Sequence, residues 1–264
     1  IVVQQLSNSA TINTLVKVDL TRGQNKIRIN VTDANGYKSV SEYINTTYRF
    51  PGTPAKPVLY VVLAGVTKYI NEKPLVYAVP DCEKFKSLLN NYKEKYAGQQ
   101  IVFYELYNQN LNKDTLSAIM QQLKNTSPEN ELIFYFAGHG SPDTSNEFRF
   151  LLSNFSKESN QPSNSISLTD ICNLAETGGM RRKLILLDAC FGGDMMKDFR
   201  RTKEDNQLYF NLFYNYGKHN GINIIASCTG DQTAKDGLFM TATGTVLTNH
   251  PGQLSLDEFK KHIS

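Results

Sequence analysis

Glu131-Leu132-Ile133-Phe134-Tyr135-Phe136-Ala137-Gly138-His139-Gly140 and Lys183-Leu184-Ile185-Leu186-Leu187-Asp188-Ala189-Cys190-Phe191-Gly192-Gly193 are two apolar runs of strand length. Each ends in small residues around one reactive side chain. Continuous apolar runs of this kind read as strands buried on both faces, the habit of a parallel sheet. A sheet that ends one strand in a His and another in a Cys brings a base and a nucleophile together.

Working outward, Val58 to Val66, Ile101 to Leu106 and Ile222 to Ser227 are further apolar runs. Between the runs lie segments with helical spacing. In Asp81 to Tyr96 the residues Cys82, Phe85, Leu88, Leu89 and Tyr92 share a face. Lys113 to Leu123, Ser167 to Glu176 (capped by Ser167 or Thr169) and Gln207 to Lys218 follow the same spacing. Strands alternating with helices predict right-handed crossovers and an α/β fold, a three-layer α/β/α sandwich with a mostly parallel sheet. Ligands of such folds collect at the carboxyl ends of the strands, and His139 and Cys190 are both expected just past such ends.

The N-terminal part has a different texture. Thr14 to Leu20, Asn25 to Thr32 and Lys38 to Ile44 alternate apolar and polar residues, separated by the turn signals Arg22-Gly23-Gln24-Asn25 and Asp33-Ala34-Asn35-Gly36. They predict a meander of three half-buried antiparallel strands, too few to close a sandwich. The segment resembles the closing strands of an immunoglobulin-like module. Phe50-Pro51-Gly52-Thr53-Pro54-Ala55-Lys56-Pro57 reads as a linker, because its prolines forbid helix and interior strand. The expected organisation is a β segment over 1–50, a linker over 51–57 and the α/β domain over 58–264.

Composition narrows the function. With 28 Lys+Arg against 25 Asp+Glu the formal net charge is only +3, and the basic residues are dispersed, so no nucleic-acid partner is expected. No segment approaches about twenty consecutive apolar residues, so no membrane span is expected either. Ile1-Val2-Val3-Gln4-Gln5 is not a secretion signal, and a leader lost before Ile1 leaves the compartment open between the cytoplasm and a secreted or periplasmic location. The triplets at Asn30, Asn45, Asn125 and Asn154 have the pattern of glycosylation acceptors, which also arises by chance. A monomer is the default expectation.

The four cysteines, Cys82, Cys172, Cys190 and Cys228, have no metal-ligand spacing, and Asp143, Glu147 and Glu158 have none of the spacing of a calcium loop. No metal or other cofactor is therefore expected. Cys82, Cys172 and Cys228 read as small, buried, inert thiols.

Cys190 differs because its neighbours are chemical. A thiol at its ordinary pKa is mostly protonated at neutral pH and needs a base or a positive charge beside it, for which histidine is best suited. Gly138 and Gly140 are expected to give His139 a tight, exposed turn and to leave the Gly140 amide uncovered; Gly192 and Gly193 do the same after Cys190. The backbone N–H groups of Cys190 and Gly140 are the expected oxyanion donors.

A strand ending in Gly-His-Gly, followed by a strand ending in Asp-Ala-Cys-x-Gly-Gly, resembles the caspase-type cysteine peptidases. The likeness runs from Val58 to the C-terminus and includes the Ala78-Val79-Pro80-Asp81 helix start and the Ile225-Ala226-Ser227-Cys228 strand. It implies a caspase-like fold and a Cys-His dyad without a third member. Two positions before the nucleophile, where caspases proper carry Gln, this chain has Asp188, as in metacaspases and bacterial caspase homologues. Asp81 falls where metacaspases have an aspartate in the specificity pocket, and Leu75 stands where an aspartate-specific caspase would carry an arginine. Two carboxylates at the base of the pocket would favour a cationic side chain, so the expected substrates are proteins or peptides with Arg or Lys before the scissile bond.

Some positions have two readings. Asp81 is also a plain helix N-terminal charge, and Asp231 is either part of a substrate-binding loop or a turn aspartate. Lys197, Arg200, Arg201 and Lys203 lie where this clan often carries an activation linker. Self-cleavage of a zymogen within the 194–206 loop stands there against an uncut, solvated loop. The alternatives to a peptidase are a non-catalytic caspase-fold adaptor docking through the β segment and a glutaminase-type hydrolase. In the glutaminase type the Cys usually precedes the His, whereas here His139 comes first.

Overall fold

The computed structural model describes residues 15–33, 35, 37, 39–49, 51–52, 56–70, 72–95, 100–142, 147–155, 164–191, 222–227, 237–249 and 259. The chain divides into two compact units, residues 1–55 and 56–264.

In the first unit β1 (Gly23–Ile29) pairs antiparallel with β2 (Glu42–Tyr48), with Ile27 opposite Ile44. Between them Asp33 Oδ1 accepts the Asn35 and Tyr37 amides at 2.9 and 2.8 Å, the local turn that a short acidic side chain supports. Among the described residues two strands pair where three were expected: residues 15–20 carry alternation but no strand pairing.

The second unit is built on a mixed, mostly parallel sheet. β3 (Leu59–Gly65) lies between β4 (Ile101–Tyr107) and β5 (Glu131–Pro142), parallel to both. On its other side β5 pairs in parallel with β8 (Arg182–Phe191), and β8 with β9 (Ile222–Ala226). Past the end of β3, β5 continues and takes up β6 (Phe148–Leu151) antiparallel, which in turn pairs with β7 (Ser165–Ser167).

Helices cover both faces. Val62, Ala64, Leu132, Phe134, Phe136, Ile185 and Leu187 face α2 (Lys113–Leu123) and α3 (Leu168–Thr177) in one core. The alternate positions Val61, Leu63, Tyr135, Ala137 and Leu186 pack with Ala78, Cys82 and Phe85 of α1 (Ala78–Lys95) and with Phe239, Met240 and Val246 of α4 (Leu238–Asn249). The two-residue period of a strand thus assigns each side chain to a layer.

The helix signals hold locally. Asn112 Oδ1 accepts the Thr115 amide at 2.9 Å and caps α2. Ser167, rather than Thr169, caps α3 with a full capping box: Ser167 Oγ accepts the Asp170 amide and Asp170 Oδ2 accepts the Ser167 amide. α1 begins at Ala78, three residues before Asp81, because Pro80 is tolerated in a first turn whose N–H groups have no helical partner. β6, β7 and α4 were not anticipated. The segment Gln207 to Lys218 lies outside the described residues, as do Gly192, Gly193 and Cys228.

Candidate active site

His139 and Cys190 are register partners on adjacent parallel strands. Neighbouring strands run about 4.8 Å apart, and paired positions lie on the same face of a sheet. Pairing of β5 with β8 continues to Gly140 and Phe191, so both residues lie within their strands and not beyond them. The physical reason is that β5 does not end with β3; β6 takes up its edge from Gly140 onward.

The glycines around His139 serve packing where an exposed turn was expected. Gly138 and Gly140 are buried in β5. A Cβ on Gly138 would come 2.8 Å from Phe136 Cζ and 2.9 Å from Tyr69 Oη, and one on Gly140 would run into the ring of Phe148. These rings close over the strand only because side chains are missing there.

The segment between β3 and α1 holds the imidazole. Tyr69 Oη accepts the His139 amide at 2.8 Å, and its ring lies 4.7 Å from the imidazole, centroid to centroid. His139 Nε2 lies 2.8 Å from the carbonyl oxygen of Lys73. A carbonyl only accepts, so Nε2 carries the proton, and in that tautomer Nδ1 is the accepting nitrogen. The same segment is pinned by Asn108, whose Oδ1 accepts the Thr67 and Lys68 amides at 3.0 Å each; Asn108 itself sits at a φ of 51°, a conformation Asn tolerates. Thr67 closes the segment on itself, its carbonyl taking the Leu75 amide, and ties it to α1, its hydroxyl taking the Val79 amide.

Strand alternation fixes where the main chain points. The Ala137 carbonyl accepts the Val66 amide, and the His139 amide goes to Tyr69, both on the β3 side. The main-chain groups of Gly138 and Gly140 therefore face β8.

The two aspartates act on the same buried groups. Asp188 lies two residues before Cys190 on the α1/α4 face, and Asp81 lies in the first turn of α1, only 5% exposed. Tyr135 Oη donates to Asp188 Oδ2 at 3.3 Å. Burial holds the Tyr135 phenol well above its ordinary value, and the charges of Asp188 and Asp81 push the same way. Burial likewise pushes the Cys82 thiol far up, followed by the charges of Asp81 and then Asp188. Both carboxylates thus act on the same phenol and the same thiol, and Cys82 is an inert, protonated core residue. Cys172 is also buried, and burial, then Glu176, pushes it up to about 12.

Three contributors had no strong signal in the sequence. The Lys73 carbonyl has no side-chain signature at all, Tyr69 lies in an unpatterned segment after β3, and Tyr135 reads as one more apolar residue of its run. Asp231, Lys197, Arg200, Arg201 and Lys203 fall outside the described residues. No helix among the described residues is long and apolar enough to cross a membrane.

A family model described as the caspase domain matches residues 59–263. No curated protein matches the chain. Among solved structures, a structural-genomics crystal structure of a protein from Geobacter sulfurreducens is similar in fold. Its TM-score is 0.56 at 18% identity, covering 78% of this chain and 88% of that one.

Proposed function

The chain belongs to the caspase-domain family of cysteine peptidases, and from that premise we propose that it is an endopeptidase cutting after Arg or Lys, with Cys190 as nucleophile and His139 as base. The observation that carries the proposal is the β5–β8 register, in which His139 pairs with Cys190 while Asp188, on the same face, acts together with Asp81 on one buried phenol.

The chemistry follows from the groups present. His139 Nδ1 takes the thiol proton, and Cys190 Sγ attacks the main-chain carbonyl carbon of the Arg or Lys residue. As the tetrahedral intermediate collapses, the C–N bond breaks, the imidazolium gives its proton to the leaving amine, and a thioester remains. Water, deprotonated by the same imidazole, then attacks the thioester and releases the thiol. The Lys73 carbonyl keeps the ring in one tautomer and stabilises the imidazolium, so the site works as a dyad oriented by a backbone oxygen. The amides of Gly140 and Cys190 serve the oxyanion. They belong to the last rungs of the β5–β8 ladder, where an oxyanion competes with cross-strand carbonyls for the same N–H groups.

Specificity rests on Asp81 and Asp188. Both carboxylates act on the same buried phenol and thiol, and a guanidinium or ammonium entering beside them would form charge-assisted hydrogen bonds. Asp231 is assigned to the same pocket by its place after β9. The peptidase domain is assigned to residues 58–264, the β segment to 1–50. Autoprocessing of a zymogen is assigned to Lys197, Arg200, Arg201 or Lys203, and intact-mass measurement of wild type against Cys190→Ala tests it: equal masses exclude it.

A fluorogenic peptide panel varying the residue before the scissile bond tests the main proposal. Wild type is expected to turn over Arg and Lys peptides and not Asp peptides, and Cys190→Ala none. Asp188→Ala is expected to lose about 100-fold on Arg, the scale of one or two charge-assisted hydrogen bonds. Turnover of Asp peptides alone overturns the pocket; no turnover by self-processed wild type favours an adaptor.

A further inference from the structure

Tyr135 is fully buried in the middle of β5, yet its hydroxyl reaches an ionisable side chain of the candidate site, Asp188 Oδ2, at 3.3 Å. Its ring packs against Phe85 of α1, with ring centroids 5.2 Å apart. A buried phenol that packed only as a ring would serve equally well as phenylalanine. This one carries a donor aimed at a carboxylate two residues from the nucleophile.

The inference rests on the proposed cation pocket and deepens it. We propose that Tyr135 is a specificity-determining positioning residue, whose hydroxyl sets the plane of the Asp188 carboxylate and so makes the pocket prefer Arg over Lys. The two cations ask different things of a carboxylate. A guanidinium is a planar fork that forms two parallel hydrogen bonds only with a carboxylate held in its plane, whereas an ammonium is a compact charge with three rotatable donors and tolerates a carboxylate that turns. Fixing one oxygen of Asp188 from below therefore favours Arg selectively. Because 3.3 Å is long for an O–H···O bond, the expected effect is one of orientation and of several-fold size.

Tyr135→Phe keeps the ring and removes only the donor. The readout is the ratio of kcat/KM on Arg and Lys peptides that are otherwise identical. Both substrates see the same active protein, so the ratio is independent of how much of the variant folds. The ratio is expected to fall about 5-fold, chiefly through a higher KM for Arg. An unchanged ratio in Tyr135→Phe, with Asp188→Ala still losing Arg turnover, overturns the role of Tyr135 and leaves the pocket standing. Arg turnover untouched by Asp188→Ala overturns the pocket itself.

Should the variant turn over neither peptide, calorimetric titration of Cys190→Ala protein, with and without Tyr135→Phe, decides instead. Pentylguanidine is expected to weaken several-fold and pentylamine to change little; equal changes for both, or none, overturn the proposal.

Discussion

Replacing Tyr69 by Phe removes one oxygen from beneath the candidate base and leaves the aromatic ring in place. The His139 amide then loses the acceptor it has at 2.8 Å, while the ring contact with the imidazole at 4.7 Å persists. A buried N–H left without a partner costs about 1–3 kcal/mol. His139 is only half-buried, so water can reach part of the site and the low end, about 1 kcal/mol, applies. In a unit of this size that corresponds to a fall in Tm of about 2–4 °C.

The same loosening acts on catalysis. His139 is also fastened through Nε2 to the Lys73 carbonyl, so the ring keeps its tautomer and loses only part of its fixation. A cost of about 1 kcal/mol in the transition state lowers kcat about 5-fold. KM for an Arg peptide is expected to stay within about 2-fold, since the bond that is removed holds the His139 main chain and not the Asp188 carboxylate. Steady-state kinetics and thermal denaturation on the same preparations decide. A lowered Tm with kcat unchanged makes Tyr69 a support of the fold alone, and a raised KM at constant kcat moves it to substrate binding; either refutes the reasoning.

Other consequences follow from packing and burial. A Cβ on Gly179 would lie 2.5 Å from the Thr126 carbonyl oxygen and 2.8 Å from that of Lys124, both backbone atoms that cannot rotate away. Gly179→Ala is therefore expected to destabilise by about 2–3 kcal/mol in denaturant titration, with the Arg-to-Lys ratio unaltered. Cys82 and Cys172 are expected to resist iodoacetamide at pH 7.5 in the native protein and to react once it is unfolded, by peptide mapping. The same thiols give stability a sign with pH. Their folded pKa values lie above the unfolded ones, so the folded chain holds more protons above about pH 9, and stability falls as pH rises toward 12. Cys172→Ala is expected to make that alkaline decline shallower, by up to about 1.4 kcal/mol per pH unit; an unaltered slope counts against its buried, protonated state.

The sheet was legible where burial on both faces left a continuous apolar run, as in β3, β5 and β8. β6 and β7 were not, since four and three residues are too short to show a period. α4 buries Phe239, Met240 and Val246, but Thr243 and Gly244 stand between them on the same buried face and interrupt the apolar stripe. The N-terminal strand expected at 14–20 failed for the opposite reason: its alternation is real, but no edge pairs with residues 15–20.

At the candidate site His139, Cys190, Asp81 and Asp188 stood out because their side chains are chemical and their neighbours small. The groups that hold them did not. The carbonyl of Lys73 and the hydroxyl of Tyr69 become visible only when the segment after β3 is folded back on β5, and no local pattern encodes that return.

The most direct test of the central claim is covalent capture. Wild-type protein is incubated with a peptidyl chloromethyl ketone ending in Arg and, separately, with one ending in Asp, and the adduct is located by peptide-mapping mass spectrometry. The Arg reagent is expected to add one equivalent on Cys190, and the Asp reagent none. Labelling by the Asp reagent in preference to the Arg one, or an Arg adduct on any other residue while Cys190 stays free, contradicts the account.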